Sequence, residues 1–351
     1  MKKLFSTILV ALVATVASYA QTIAVVSSNG VTTMHQTLAD AIDKAASGSV
    51  IYLPGGGFQL SDDIKINKKL TIMGVSHRAD TDNAEGATVI AGNIFFEDGS
   101  DGSALMGVYV SGTVHIGTSE KAVTNLLMRY CNVNAIEVNN SGCTGMVINQ
   151  CYLRNLCNFR YANPTIENCI VHSLYSINGG TINHNIIRYN GYYGQCSYPI
   201  AYVHNSIITN NFFLEWASGA GYCDNNTVSN NCIGNGTWGD EPVQIGEGKE
   251  WKDVFKKPDL GVNINADYHL ISNIGKNAGT DGKHIGIYLD DKDTGFDDHA
   301  LAPIPRIISK EIPEQTDAEG KLNIKITVKS GSKSGNGSSG NGGAGGGGTS
   351  W

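Results

Sequence analysis

Six short segments decide how the chain folds: MRYCNV (Met128 to Val133), INQCYL (Ile148 to Leu153), IENCIV (Ile166 to Val171), INHNII (Ile182 to Ile187), VHNSII (Val203 to Ile208) and CDNNTV (Cys223 to Val228). Their starts, at positions 128, 148, 166, 182, 203 and 223, recur with a period close to twenty. Each opens on a mostly apolar residue, turns polar in the middle and closes on Val, Leu or Ile. With β-branched ends and no helical periodicity between them, each reads as a strand–turn–strand unit. One unit cannot bury its apolar residues alone, but a second coil stacked on it can. The pattern predicts a solenoid of strands with coils about 4.8 Å apart. A β-sandwich of twenty-residue hairpins is the alternative, and it needs no such columns.

The stacking makes explicit claims. Met128, Ile148, Ile166, Ile182, Val203 and Cys223 should form one inward file, and Val133, Leu153, Val171, Ile187, Ile208 and Val228 another. The fourth position, Cys131, Cys151, Cys169, Asn185, Ser206 and Asn226, should stack at a bend, the Asn side chains bonding to their equivalents above and below. Residues between the files should face outward. One exterior line is Arg129, Asn149, Glu167, Asn183, His204 and Asp224. The other is Asn134, Arg154, His172, Arg188, Thr209 and Ser229.

Upstream, Leu38, Ala41, Ile42 and Ala45 share one helical face with Thr37 as N-cap, which predicts a short amphipathic helix. Lying across the open end of a solenoid, it would cap exposed backbone and apolar surface. Strand-like runs follow at Val50 to Leu53, Ile64 to Ile66 and Leu70 to Ile72, with a Pro54-Gly55-Gly56-Gly57 turn. This order, TLADAIDKAASGSVIYLPGG (37–56) then IKINKKLTIMG (64–74), resembles the entry to the right-handed parallel β-helix proteins of the pectin-lyase-like superfamily. The resemblance extends to about Tyr288, where Tyr268-His269-Leu270, Gly279-Thr280-Asp281 and Ile285-Gly286-Ile287-Tyr288 look like the closing coil of secreted bacterial members. It implies an all-β, right-handed parallel β-helix with an N-terminal capping helix. Activity is weakly implied, because familiar members cleave or bind polysaccharides and others have no known reaction.

The ends divide the chain further. Met1-Lys2-Lys3, the apolar stretch Leu4 to Ala17 and Ser18-Tyr19-Ala20 read as a signal peptide, 1–20, cleaved before Gln21. Residues 21–300 are then the β-helix domain and 301–330 a C-terminal strand segment. In that segment Leu322 to Val328 alternate strictly, as a half-buried strand does. Positions 331–351 form a Gly/Ser-rich linker, nearly half of it Gly and too poor in apolar side chains to order. Localisation is therefore expected to be secreted, cell-surface or periplasmic.

The net charge of −7 argues against an electrostatic nucleic-acid binder, which would need a basic face. Beyond Ala20 no apolar run reaches membrane-spanning length, so no membrane insertion is expected. Eight Cys allow 105 disulfide pairings, and none has CxxC spacing for zinc. Cys131, Cys151 and Cys169 read as stacked small hydrophobes, with a bridge between two of them as the alternative.

The expected partner is polysaccharide, acidic polymers included. Arg154, His172 and Arg188 would make a positive track for carboxylates or sulfates; an ordinary solvated face is the alternative. Tyr192, Tyr193 and Tyr198, in the loop after the fourth coil, and Trp216 and Tyr222, after the fifth, are the aromatic candidates for stacking on sugars, unless those loops bury their own rings. No catalytic constellation is evident. Glu167 and Asp224, about 14 Å apart by coil spacing, are too distant for a glycosidase pair. The acidic cluster, WIDH-type segment and paired-Asp motifs of familiar pectin-degrading members are absent. A lyase using Arg154 or Arg188 with His172 is the enzymatic alternative, and an adhesin or stalk module the structural one. No cofactor is required, although Asp291 and Asp293 fit part of a calcium loop.

Overall fold

The computed structural model describes residues 22–60, 62–78, 86–188, 198–214, 220–234, 238–259, 264–298, 306–313, 315–316 and 319–329. Within them the protein is all-β apart from two short helical segments, and two eleven-stranded sheets dominate. After Ser49–Tyr52 the chain passes back and forth between the sheets, giving one or two consecutive strands to the second sheet on each passage. Each passage lays a strand in parallel register on its counterpart one passage earlier, an arrangement consistent with a solenoid. Only the two outermost pairings of the first sheet, Ile23–Val26 with Thr32–His35 and with Ser49–Tyr52, are antiparallel.

The first sheet runs from Ser49–Tyr52 through Leu70–Met73, Ala104–Met106, Leu127–Arg129, Val147–Asn149, Thr165–Glu167, Thr181–Asn183 and Ile207–Thr209 to Thr227–Ser229. In the second, long strands such as Tyr109–Ile116, Asn132–Val138, Tyr152–Ala162 and Ile170–Asn178 each serve two ladders separated by a register shift. One ladder carries Val110, Val133, Leu153, Val171 and Ile187, the other Val114, Ile136, Cys157, Leu174 and Ile200. Every one of these ten side chains is buried, as is the first-sheet file Ile72, Leu105, Met128, Ile148, Ile166, Ile182, Ile208 and Val228. Burial of each such side chain contributes about 2 kcal/mol, so stacking is the chief driving force.

The expected register holds for the first four segments and breaks at the fifth. Ile182 pairs with Ile208, not Val203, and Ile208 pairs with Val228, not Cys223. ITNNFF (208–213) and VSNNCI (228–233) therefore continue the file. Val203 pairs with Ile177, and His204 bridges Asp224, so VHNSII and CDNNTV stack at a different bend. The added residues lengthen this passage, which returns to the file only at Ile208.

Two side-chain ladders result. At the main bend Cys131, Cys151, Cys169, Asn185, Asn211 and Asn231 follow one another. Asn185 Oδ1 accepts from Cys169 N–H at 2.9 Å, Asn211 from Asn185 and Asn231 from Asn211 in the same way. Ser206 and Asn226, expected here, serve the second bend, where Asn226 accepts from Ser206 N–H and Ser206 from Gly180 N–H. Beside the main ladder Tyr130, Gln150, Asn168, His184, Asn210 and Asn230 all adopt the left-handed conformation, with φ between 51 and 61°. Asn tolerates that region, and the other residue types are held there by the stack against a cost of about 1–2 kcal/mol each.

Helix α1, Leu38–Lys44, begins where expected. Thr37 Oγ1 accepts from Asp40 N–H at 3.2 Å. Leu38, Ala41 and Ile42 enter the main core. All seven described cysteines are free thiols, six of them buried.

The C-terminal part departs from a closing coil. Trp251–Asp253 form one 3-10 turn, and Phe255–Lys257 pair with Asp267–Leu270 antiparallel. Residues 272–298 then run back along the left-handed corner as a strap. Asn230 Nδ2 donates to Ala278 O, Asn210 bonds Thr280, Asn168 Nδ2 donates to Ile287 O, and Arg78 Nη1 donates to Asp298 O. Gly286 is required there. Its φ is +87°, and a Cβ would lie 2.8 Å from the Phe212 ring. The outward residues Tyr152, Ile170, Ile186, Phe212 and Cys232 are buried against Val254, Phe255, Tyr268, Ile285 and Ile287 as a second core. Arg306–Glu311 and Lys325–Lys329 form a separate antiparallel pair. The alternation expected of the latter strand is present, yet Ile326 and Val328 are exposed rather than half-buried.

Candidate functional site

Outward positions of the second-sheet ladder that carries Val114, Ile136, Cys157 and Leu174 line up across successive strands as Lys65, Phe95, His115, Glu137, Asn158 and Tyr175. Parallel pairing dictates this file: residues in register on neighbouring strands point the same way. Phe95 and His115 stack, ring centroids 4.2 Å apart and 9° from parallel. Asn158 Nδ2 donates to Glu137 Oε1 at 3.3 Å. Tyr175 meets Tyr202 at 4.9 Å, and Tyr202 stacks on Tyr222 at 4.8 Å. Tyr198 adds an edge-on contact to Tyr222, which is 68% exposed. Nearby, His204 bonds Asp224 and stacks against the exposed Tyr161. The file ends at the Ala201–Gly221 bridge beside Tyr222. From Phe95 it crosses six strand intervals, a length of about 29 Å.

Electrostatically the centre of this file is unusual. Burial holds the Glu137 carboxyl above its ordinary range, opposed by the Asn158 bond and the Arg160 charge. Burial likewise lowers the neighbouring His115. Glu137 and His115 stand in register on adjacent strands, and both side chains can hydrogen-bond neutral hydroxyls.

The expected positive track does not form an open surface. Arg154 is half-buried, with Nη1 donating to the Tyr109 hydroxyl at 3.3 Å and its guanidinium over the Tyr109 ring. His172 is buried beside Ser173, and Arg188 is fully buried against the Tyr152 ring. All three point away from the main core, as expected, but the C-terminal residues cover much of this outer side. The paired apolar residues Ile170-Val171, Ile186-Ile187 and Phe212-Phe213 were the available signal, because a strand apolar on both faces is covered on both. Thr209 and Ser229, expected in the same line, belong instead to the first sheet, after Asn183.

Tyr198 and Tyr222 lie together at the end of the file. Tyr192, Tyr193 and Trp216 fall outside the described residues. Glu167 and Asp224, expected on one exterior line, belong to different ladders. Asp291 bonds Lys276 at 2.8 Å and His284 at 3.3 Å, while Asp293 pairs with His269 at 3.2 Å, so the two carboxylates turn to separate partners. Among the described residues no group of three His, Cys, Asp or Glu side chains could hold a metal ion, and no helix is long and apolar enough to cross a membrane. No family model and no curated protein matches the chain.

Proposed function

We propose that the chain is an exported right-handed parallel β-helix, closed at its N-terminal end by α1, that binds polysaccharide along the file from Phe95 to Tyr222. The observation that carries this reading is the continuous line of rings and hydrogen-bonding side chains about 29 Å long on one rigid ladder. Tyr222, exposed and stacked by one face on Tyr202, and the half-buried Phe95, stacked by one face on His115, leave apolar ring surface for sugars, and Glu137, Asn158 and His115 suit their hydroxyls. A fixed ladder presents these groups without an ordering cost on binding.

The test is a panel of immobilised neutral, uronate and sulfated polysaccharides, probed with the wild type, Phe95→Ala and Tyr222→Ala. Each variant should lose about tenfold in affinity, equivalent to roughly 1.4 kcal/mol per ring. No retention on any polymer would reject the reading, leaving a stalk or adhesin module. N-terminal sequencing of exported material should begin at Gln21.

His115 favours a lyase as the second reading, since a neutral imidazole beside bound sugar is a competent base. Release of ultraviolet-absorbing unsaturated product, lost in His115→Ala, would establish it.

A further inference from the structure

The hairpin of Ile23–Val26 and Thr32–His35 stands at the outer edge of the first sheet. Thr33 and His35, two positions apart on the edge strand, point to the same side. The Thr33 hydroxyl lies 2.9 Å from His35 Nε2, and His35 Nδ1 lies 2.7 Å from Asp40 Oδ2 on α1. A carboxylate only accepts, so Nδ1 carries the ring proton and Nε2 of the neutral ring accepts from Thr33 Oγ1. Hydroxyl, imidazole and carboxylate follow one another as a nucleophile, its base and the group that orients the base.

The surroundings suit those roles. Lys44 Nζ holds the other Asp40 oxygen at 2.7 Å, and the Asp40 N–H donates to Thr37 Oγ1. The bonds to His35 and Lys44 keep the Asp40 carboxyl below the usual carboxylate range, so it is ionised at neutral pH. His35 is only 6% exposed, whereas Thr33 is exposed. The base is packed in place and the hydroxyl is open to a substrate. A backbone donor adjoins it. Ser27 N–H donates to Val31 O, so by antiparallel alternation the pairs Val25–Thr33 and Ile23–His35 exchange bonds across the hairpin. Met34 then turns its N–H to the edge of the sheet, where no further strand pairs among the described residues. The N–H that follows a nucleophile is one that acyl-transfer sites use for the oxyanion.

We propose that Thr33, His35 and Asp40 form an acyl-transfer centre that takes small acyl esters. Thr33 Oγ1 attacks the acyl carbon while His35 Nε2 takes its proton. The ester C–O bond breaks, and the departing oxygen leaves with that proton. Water, deprotonated by the same imidazole, then releases the acid and restores Thr33. Asp40 is a positioning residue that keeps the proton on Nδ1 and the ring turned to Thr33. The Phe95–Tyr222 file lies on the other sheet, so the outcome does not depend on glycan binding there.

The full chain is assayed with p-nitrophenyl acetate as wild type, Thr33→Val, Thr33→Ser, His35→Gln and Asp40→Asn. Release of p-nitrophenol should be about a hundredfold slower in Thr33→Val and His35→Gln, and retained in Thr33→Ser. In Asp40→Asn the rate should fall and its pH midpoint move down, because the lost carboxylate no longer favours the imidazolium. A fluorophosphonate, which loses fluoride to give a stable adduct, should label Thr33 in the wild type by peptide mapping. Wild-type release no faster than that of Thr33→Val, or labelling only at other residues, overturns the proposal. Thr33 is exposed, so Thr33→Val keeps the fold even where His35→Gln does not, and it decides alone.

Discussion

Asn211 holds Asn185 twice: its Oδ1 accepts from the Asn185 backbone N–H and from the Asn185 side-chain amide, each at 2.9 Å. Its own Nδ2 reaches Ile182 O and Thr209 O, both at 2.8 Å. Both residues are fully buried, so water cannot replace a missing partner. Asn211→Ala should cost about 3 kcal/mol, because it strands donors and acceptors on three passages of chain. Ser206→Ala, in the shorter ladder of the second bend, should cost about 1 kcal/mol. Urea denaturation of both variants checks the ranking, and equal midpoints would show that the ladders do not carry the stability assigned to them.

Stability should fall between pH 6.5 and about pH 4 before the carboxylates titrate. Burial lowers His77 from 6.5 to about 4, opposed by its bond to Tyr130 O. The folded state therefore binds fewer protons than the unfolded chain in that window, and acid favours unfolding. The full effect for His77 is about 3 kcal/mol, present above pH 6.5 and lost as pH falls through 4. His184 is displaced in the same direction, also by burial. Denaturation curves at pH 7, 5.5 and 4.5 should show the decline, and His77→Gln should flatten it.

The stacked thiols should be inert in the folded protein. Burial raises Cys131 and Cys151 well above their ordinary range and pushes Cys157 and Cys232 up to about 12. Little thiolate exists at neutral pH, and attacking reagents have no access. Among the described cysteines, mass-spectrometric mapping after iodoacetamide should find Cys223 modified first, with the others labelled only in denaturant.

The strap depends on side chains that project from the left-handed corner. Asn210 accepts from Thr280 N–H at 2.8 Å and donates to Thr280 Oγ1 at 3.0 Å. Asn210→Gly keeps the required φ but removes both bonds. Deuterium uptake should rise in 275–298 while the strands around Ile148 and Ile166 stay protected. Uniform uptake across the chain would mean that the strap and coils open together.

The first four repeats were legible because Met128, Ile148, Ile166 and Ile182 begin near-identical patterns at similar spacing. The fifth was not, because both bends are built from small polar residues. The Asn and Ser of VHNSII thus mimic the Asn pair of ITNNFF, and only the physical stack distinguishes them. The Phe95–His115–Glu137 file escaped notice for a related reason. Register shifts between Val110 and Thr113 and between Val133 and Ile136 change which residues face outward. Alternation counted from the repeat therefore gives the wrong side. Export and the tail beyond Gly331 rest on composition alone. The burial of Arg188 depends on residues more than fifty positions away, which no local pattern could reveal.

Sixteen residues take the chain from Ile166 to Ile182, and twenty-six take it from Ile182 to Ile208, yet both steps land on the same file. The scaffold therefore tolerates passages of unequal length. Ten more residues in the longer passage are absorbed while Asn185 and Asn211 stay joined across it.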